Sequence, residues 1–353
     1  MSRSARITAV AVAATALALP ASAGAATSSS SDAQLTVMSR NLYLGADLIP
    51  LASATDLPSF ETTAANVWRN VQATDFPKRA TALAKEIKRT KPDLIGLQEA
   101  AVWRKSPDGV KDGTATPANV VVYDYIKTLR AELKKQGVEY RVVIAQDEFD
   151  FEAPTALGYD IRLTQRDAIL ARVGSKVKTG KTSKGQYAKT FVVPTQAGTA
   201  DSKRGWVAVD AKVGGKRFRF VDTHLEAYGG DIREAQAKQL IGPSGPLTSR
   251  KTNTILVGDL NSDPKDAAAD AAAYKAIVGA GFVNVFNPLP KTSGQNELVN
   301  NPTSTLKSSI DHILVRPKQT VVKTQVVGNK ASDRVGGLWP SDHAGVVATL
   351  RLR

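Results

Sequence analysis

Three histidines are the scarcest chemistry in this 353-residue chain, and each stands beside an acidic or hydroxyl side chain. His224 closes Asp222-Thr223-His224, His312 follows Ser309-Ile310-Asp311, and His343 follows Pro340-Ser341-Asp342. An imidazole at a strand end can move a proton or donate to an anionic oxygen near neutral pH. Carboxylates and amides recur in similar places. Ile255-Leu256-Val257-Gly258-Asp259-Leu260-Asn261 is an apolar run ending in Asp-x-Asn, and a period of two points Asp259 and Asn261 the same way. A carboxylate there can hold a metal or orient water, while the amide can donate to a phosphate oxygen. Leu97-Gln98-Glu99 adds another carboxylate, and Ser39-Arg40-Asn41 another amide. Asp311 interrupts the apolar run Ser309–Val315, and a buried carboxylate needs a partner, for which an imidazole is suited. Its neighbour His312 points to the opposite face and is expected to be structural. Each segment alone is equally compatible with a polar turn or a helix cap.

The elements that must carry these residues are strands and helices in mixture, with no internal repeat and no long linker. Leu35–Asn41 reads as a first strand. Lys78–Thr90 places Ala80, Leu83, Ala84 and Ile87 on one helix face, and Pro92 ends it. Asp93–Glu99 is a buried strand, followed by a helix over Tyr123–Gln136 and a strand over Tyr140–Ala145. Arg166–Val173 and Tyr187–Val193 are expected strands. Trp206–Val213 and Lys216–His224 flank Gly214-Gly215, a two-residue hairpin signal. Thr254–Asp259 is continuously apolar and should lie inside a sheet, covered on both faces. Asp266–Val278 is an Ala-rich helix, Lys291–Lys307 a long polar loop, and Ser309–Arg316, Thr320–Val327 and Ala344–Leu352 are closing strands. Strands outnumber helices and hairpins mix with helical connections, which suits two packed sheets with helices outside them.

At the N-terminus, Arg3 and Arg6 precede an apolar run from Ile7 to Leu19, Pro20, and the small residues Ala21-Ser22-Ala23 and Ala23-Gly24-Ala25. That pattern reads as a signal peptide over residues 1–26, leading to a secreted protein. Residues 27–34 form a Ser-rich, disordered lead-in, and 35–353 the catalytic domain. The apolar run is short of the ~20 residues of a membrane span. The chain has no cysteine, which excludes disulfides and thiolate chemistry. Its net charge of +14 includes Arg3 and Arg6. A basic field attracts nucleic acid, anionic lipid and phosphorylated metabolites without choosing among them.

Taken together, six strand ends present Asn41, Glu99, His224, Asp259-x-Asn261, Asp311 and Asp342-His343 in that order. From about Leu35 to Leu352 this resembles the endonuclease/exonuclease/phosphatase superfamily, which includes pancreatic-type deoxyribonucleases, abasic-site endonucleases, inositol polyphosphate phosphatases and bacterial sphingomyelinases. The resemblance implies an α/β fold, a four-layer α/β sandwich of two packed mixed β-sheets flanked by helices. It also implies hydrolysis of a phosphoester by in-line attack of an activated water, with Mg²⁺ or Mn²⁺ as cofactor. Glu99 would be the principal metal ligand, with Asn41 nearby and Asp342 sharing the ion; all-oxygen ligands suit such a hard cation. Asp259 would orient and help deprotonate the water. Asn261 and His224 would bind phosphoryl oxygens, with His224 a donor to the leaving group, and His343, held by Asp311, would act as base or stabilise developing charge. Two departures stand out. Relatives give each catalytic histidine an acidic partner, and none can be named for His224. His312 stands where relatives often carry an aromatic or aliphatic residue.

The expected partner is a phosphoester: nucleic acid, a phospholipid head group or a small phosphodiester. No protein partner is evident, and a monomer is expected. A phosphodiesterase leads. Asp222–Ala227 with Arg233 and Gln236 on a following helix looks like the phosphatase and sphingomyelinase branch. Membrane-inserting aromatics of the sphingomyelinase kind have Leu338-Trp339 as their nearest counterpart. A secreted nuclease is the alternative, drawing on Arg162, Arg166, Arg172 and Tyr159 for a nucleic-acid backbone, unless Asp160 and Asp167 pair with those arginines. Further alternatives are a phosphomonoesterase and a non-catalytic phosphate-binding module.

Overall fold

The structure, a computed structural model, describes residues 33–113 and 115–353. The signal peptide and most of the lead-in lie outside the described residues, while Gln34, at the end of that lead-in, already belongs to a strand. In chain order the elements are β1 (Gln34–Asn41), α1 (Ile49–Ala52), α2 (Leu57–Ala73), α3 (Phe76–Thr90), β2 (Leu94–Gln98), β3 (Val102–Lys105), β4 (Val120–Asp124) and α4 (Tyr125–Lys135). They continue with β5 (Tyr140–Pro154), β6 (Asp160–Arg172), β7 (Lys178–Gln186), β8 (Phe191–Thr195), β9 (Gly198–Ser202), β10 (Gly205–Val213), β11 (Lys216–His224) and α5 (Gly230–Ile241). The last are β12 (Asn253–Asp259), α6 (Ala268–Gly279), β13 (Val283–Asn284), β14 (Asp311–Arg316), β15 (Thr320–Val327) and β16 (Gly345–Arg351).

Two sheets dominate. One runs β15-β16-β1-β2-β6-β3-β4, with β5 also pairing β6; the other runs β13-β14-β12-β11-β10-β7. Both are mixed, because β1 and β2, and β11 and β12, pair in parallel within otherwise antiparallel ladders. Side-chain alternation builds the layers. In β1, Val37 faces the inter-sheet core with Leu94, Phe220 and Val257, while Met38 faces the helices with Leu83 and Ile87. In β12, Ile255 and Val257 enter the inter-sheet core, and Leu256 packs outward under Leu240 of α5 and Ile277 of α6. The continuous apolar run of β12 therefore has a cause: it lies between β11 and β14 and is buried on both faces. The four-layer sandwich expected from the sequence is present.

Local signals explain most elements. Asp75 caps α3 by accepting from the Lys78 N–H at 3.1 Å, and Lys91 in the left-handed region ends it before Pro92. The β10–β11 hairpin turns at Gly214-Gly215, both with positive φ, and sets Val213 opposite Lys216. Other expectations needed correction. Tyr187–Val193 is not one strand: β7 ends at Gln186, Tyr187 turns inward to the Thr223 hydroxyl at 2.6 Å, and β8 begins at Phe191. The strand ahead of it, Lys-Thr-Gly-Lys-Thr-Ser-Lys-Gly-Gln, has no apolar alternation and is held by pairing with β10. β5 and β6 run well beyond Tyr140–Ala145 and Arg166–Val173, because each is the other's partner along nearly its whole length. α2 was not anticipated, although Phe60, Ala64, Val67, Trp68 and Val71 form its buried stripe. Its Thr, Asn and Val residues are weak helix formers, so packing rather than propensity makes it.

Candidate active site

Register places the chemistry in rows. His224 lies abreast of Asp259 across β11 and β12, and Asp259 abreast of Asp311 across β12 and β14. The three strands thus end in a His–Asp–Asp row at one mouth of the six-stranded sheet. In the eight-stranded sheet Asn41 ends β1 beside Gln98 at the end of β2, and Glu99 follows. Asn41 joins the rows: its amide nitrogen donates to Glu99 Oε1 at 3.0 Å and to Asp259 Oδ2 at 3.1 Å. Gly258 is required just before Asp259, since a Cβ there would lie 2.1 Å from the Thr223 carbonyl oxygen of β11.

The residues that leave these strand ends adopt strained backbone. Glu99 has φ 54° and Asn261 φ 47°; such left-handed non-glycine residues cost on the order of 1–3 kcal/mol and gather at functional sites. Here the turn aims the side chains. Glu99 Oε2 accepts from Leu44 N at 2.8 Å, and the Asn261 N–H donates to Asp259 Oδ1 at 2.9 Å.

Asp342 and His343 arrive from a distant part of the chain and are fixed by buried arginines. Arg79 of α3 donates to the carbonyls of Thr74 (2.8 Å), Leu42 (2.7 Å), Tyr43 (3.0 Å) and Pro340 (3.0 Å). That guanidinium clamps the chain after Asn41 against the chain before Asp342. Arg40, paired with Glu86 at 3.2 Å, donates to the His343 carbonyl at 2.6 Å. Ser341 completes the join by donating to the Asn41 carbonyl at 2.9 Å.

The two site imidazoles sit in opposite fields. His343 Nδ1 is 2.8 Å from Asp311 Oδ2 and 3.7 Å from Asp259 Oδ2, and its Nε2 is 3.3 Å from Ser293 Oγ. Burial alone would lower its pKa, but Asp311, Asp342 and Asp259 outweigh it and hold the group well above the usual histidine value. His224 has no acid on Nδ1. Arg204 Nη1 lies 3.0 Å and Gln165 Nε2 3.2 Å from that nitrogen. A guanidinium only donates, so Nδ1 accepts and the proton sits on Nε2, which faces Asp259 Oδ2 at 3.7 Å. Burial first, then Arg204 and His343, push His224 well below the usual value, so it is neutral. The missing acidic partner is therefore an arginine and a glutamine, from strands that no local pattern links to His224. Asp259 is pushed up to about 7 by burial and by the Asp311 charge, against the opposing pull of His343. Burial and Glu99 raise Asp342 to about 6, again against His343.

Asp259, Asp311 and His343 offer ligand atoms within 4.8 Å of one another. However, the short Nδ1–Asp311 contact makes this trio an imidazolium–carboxylate pair with a second carboxylate alongside. Glu99 and Asp342, half-buried on the wall of one cavity, are the hard oxygen donors with room for a divalent cation. The Asn41 amide oxygen accepts from Tyr43 N at 2.8 Å, and its nitrogen faces the carboxylates.

Several other expectations are resolved by position. His312 is buried away from the site, its ring 4.7 Å from Tyr274, with Asn284 and the Ser262 carbonyl at its nitrogens. Arg233 and Gln236 of α5 brace the site loops instead of facing a substrate: Arg233 donates to the carbonyls of Glu226, Ala227 and Asn261, and Gln236 accepts from Glu226 N. Trp339 is fully buried against Tyr43 and Val299, with its indole N–H on the Asn301 carbonyl. Arg162, Arg166 and Arg172 pair with Asp150 (2.7 Å), Asp124 (2.6 Å) and Asp93 (2.5 Å), not with Asp160 or Asp167. Successive residues of a strand point to opposite faces, so adjacent Arg and Asp could not meet.

The sequence matches the endonuclease/exonuclease/phosphatase family over residues 63–343, a span that holds every site residue above except Arg40 and Asn41. The chain belongs to the endonuclease/exonuclease/phosphatase family. Members of this family act on phosphoesters, which places the chain among hydrolases. Its fold is also that of several solved proteins. A family member from Bacteroides thetaiotaomicron is 20% identical and superposes with a TM-score of 0.57, covering 91% of this chain and 99% of that one. The mannosyl-6-phosphatase Bt3783 of the same species is 20% identical, with a TM-score of 0.54 over 90% of this chain and 99% of its own. D. rerio TDP2, solved with a single-strand DNA product, is 16% identical, with a TM-score of 0.51 over 90% and 99%. At these identities the likeness speaks for the fold alone. No curated protein matches the sequence.

Proposed function

We propose that this family member is a divalent-metal-dependent phosphodiesterase, exported after removal of residues 1–26. The observation that carries the reading is the convergence of Asp259, the His343–Asp311 pair, neutral His224 and Asn261 on one cavity wall. A carboxylate pushed up to about 7 is suited to take a proton from water near neutral pH. Asp259 is held for that task, since Asn261 N and the Asn41 amide fix its two oxygens. His343 is cationic, and its Nε2–H can donate to a phosphoryl oxygen as negative charge develops. His224 Nε2–H and the Asn261 amide lie 3.2 Å apart, both donors, so one phosphoryl oxygen in front of them accepts from both. Being neutral and hard to protonate, His224 orients the phosphoryl group and does not transfer a full proton. Water oxygen joins phosphorus, the ester P–O bond breaks, and the leaving oxygen takes up a proton.

Glu99 and Asp342 are the residues that would hold Mg²⁺ or Mn²⁺, with Asn41 positioning Glu99. Bound there, the ion supplies charge neutralisation for the phosphoryl group. Nothing in the arrangement favours a nuclease over other diesterases, because the three arginines nearest in sequence are taken up by carboxylates. The test is hydrolysis of methyl p-nitrophenyl phosphate, bis-p-nitrophenyl phosphate, p-nitrophenyl phosphate and plasmid DNA by the purified mature chain, with Mg²⁺ or with EDTA. Chelator-sensitive cleavage of the diesters ahead of the monoester is expected; inert folded protein would falsify the reading.

A further inference from the structure

The cavity that the site residues line extends far beyond what a phosphoryl group needs. It has a volume of about 390 Å³, and away from Asp259 and His343 its walls are apolar: Leu51, Trp103, Phe151, Leu163, Phe191 and Val193. Four separate segments supply them. Leu51 comes from α1. Phe149 and Phe151 of β5 point the same way at period two, their rings stacked with centroids 6.2 Å apart, while Asp150 between them turns outward to Arg162. Leu163 belongs to the paired strand β6. The fourth wall is the β8–β9 hairpin, which joins neither sheet. Its register places Phe191 opposite Ser202, Val193 opposite Ala200 and Thr195 opposite Gly198, and the five non-glycine residues of these pairs all line the cavity. The hairpin thus gives one whole face to the chamber and stabilises neither sheet.

The polar inventory of the chamber selects what can enter. Although the chain carries 47 lysines and arginines, Arg204 alone lines this cavity among the described residues, and it is engaged by Glu226 and His224. A second phosphate, as in a polynucleotide or a polyphosphorylated sugar, would find no free cation beyond the reaction centre. Phe149, Phe151, Phe191 and Val193 are only half-buried, so apolar surface faces the chamber. Covering such surface is worth ~25 cal/mol per Å², and the volume falls within the ~300–1,000 Å³ of ligand pockets. We propose that this chamber takes an aliphatic chain attached to the phosphoester, which makes the enzyme a lipid phosphodiesterase whose β8–β9 hairpin sets chain length. The proposal rests on the hydrolase reading above and adds the substrate class to it.

The test uses the full mature chain with Mg²⁺ and a series of p-nitrophenyl alkyl phosphates from methyl to decyl, each below its micellar concentration. Burial of a methylene is worth ~0.8 kcal/mol, or about fourfold in kcat/KM, so methyl to hexyl should gain on the order of 10³-fold before a plateau. In Val193→Asp, and separately in Phe191→Ser, the hexyl-to-methyl ratio should fall at least tenfold; both positions lie on the hairpin outside the sheets, which keeps folding out of the comparison. Lysophosphatidylcholine and a farnesyl phosphodiester then separate an acyl from an isoprenoid source. Chelator-sensitive hydrolysis that is flat in chain length overturns the chamber assignment and leaves the hydrolase reading standing. Hydrolysis of no ester at all overturns both.

Discussion

Asp311→Asn removes one charge and almost no volume, and it tests the electrostatics of the site directly. Asp311 Oδ2 lies 2.8 Å from His343 Nδ1 in a pair with almost no exposure. Burial by itself would lower the imidazole, and Asp311 leads the three carboxylates that reverse this. Two unit charges ~4 Å apart at an effective dielectric of ~20 interact by about 4 kcal/mol, or roughly three pKa units. The substitution should therefore bring His343 down to the ordinary histidine range or below it. Because the folded value is raised, the stabilisation from this pair is present below the unfolded histidine pKa and is lost as pH rises through the folded value. The wild-type protein should lose stability on the alkaline side, and that loss should shift to lower pH in Asp311→Asn. With only three histidines in the chain, the Cε1–H correlations in a metal-free NMR titration give one signal each. At pH 7 one signal should be charged in the wild type, and that signal should be missing in His343→Asn. The other two should be neutral, with His312 titrating only near its lowered value of about 4. In Asp311→Asn all three should be neutral at pH 7, and kcat for methyl p-nitrophenyl phosphate should fall ~10²–10⁴-fold. A His343 signal that stays charged, together with a rate within about threefold of wild type, would refute the reasoning that Asp311 sets the charge of this imidazole.

Other substitutions probe the rest of the wall. Arg204→Met frees Nδ1 of His224; the His224 signal should then titrate at higher pH and kcat should drop about tenfold or more, since the Nε2–H form is no longer enforced. An unmoved His224 titration would mean that burial alone keeps the ring neutral. Glu99→Gln should raise the Mg²⁺ concentration for half-maximal activity by at least ~10-fold, read from activity against free metal; an unchanged metal curve would remove Glu99 from the cation site. Arg79→Met leaves four buried carbonyls without their donor and should destabilise the fold by about 3–5 kcal/mol, measured by urea unfolding. A cost under ~1 kcal/mol would show that the clamp between Leu42 and Pro340 is dispensable.

Much of this protein is local in origin. The α3 stripe of Ala80, Leu83, Ala84 and Ile87, the Gly214-Gly215 turn and the apolar run of β12 each follow from short-range periodicity and turn chemistry, and the structure has all three. The order of strand-end residues from Asn41 to His343 was likewise open to reading, because a strand that ends at a sheet mouth must deliver its last polar side chain there. Where local reading failed, a partner lay elsewhere in the chain. Lys178–Gln186 is a strand because β10 pairs with it, and Arg162 meets Asp150 because β5 lies beside β6. Arg204 and Gln165 flank His224 from 20 and 59 positions away, and Asn41 reaches Asp259 across 218. Such contacts depend on which strands become neighbours and in what register, and no periodicity within one segment encodes that. The apolar chamber is the fullest case. α1, β5, β6 and the β8–β9 hairpin each look like an ordinary half-buried element, and only their convergence on the phosphoryl-binding wall makes a pocket. Sequence thus sets the chemistry of this site, and tertiary packing decides the charge on each imidazole and the kind of molecule that fits beside it.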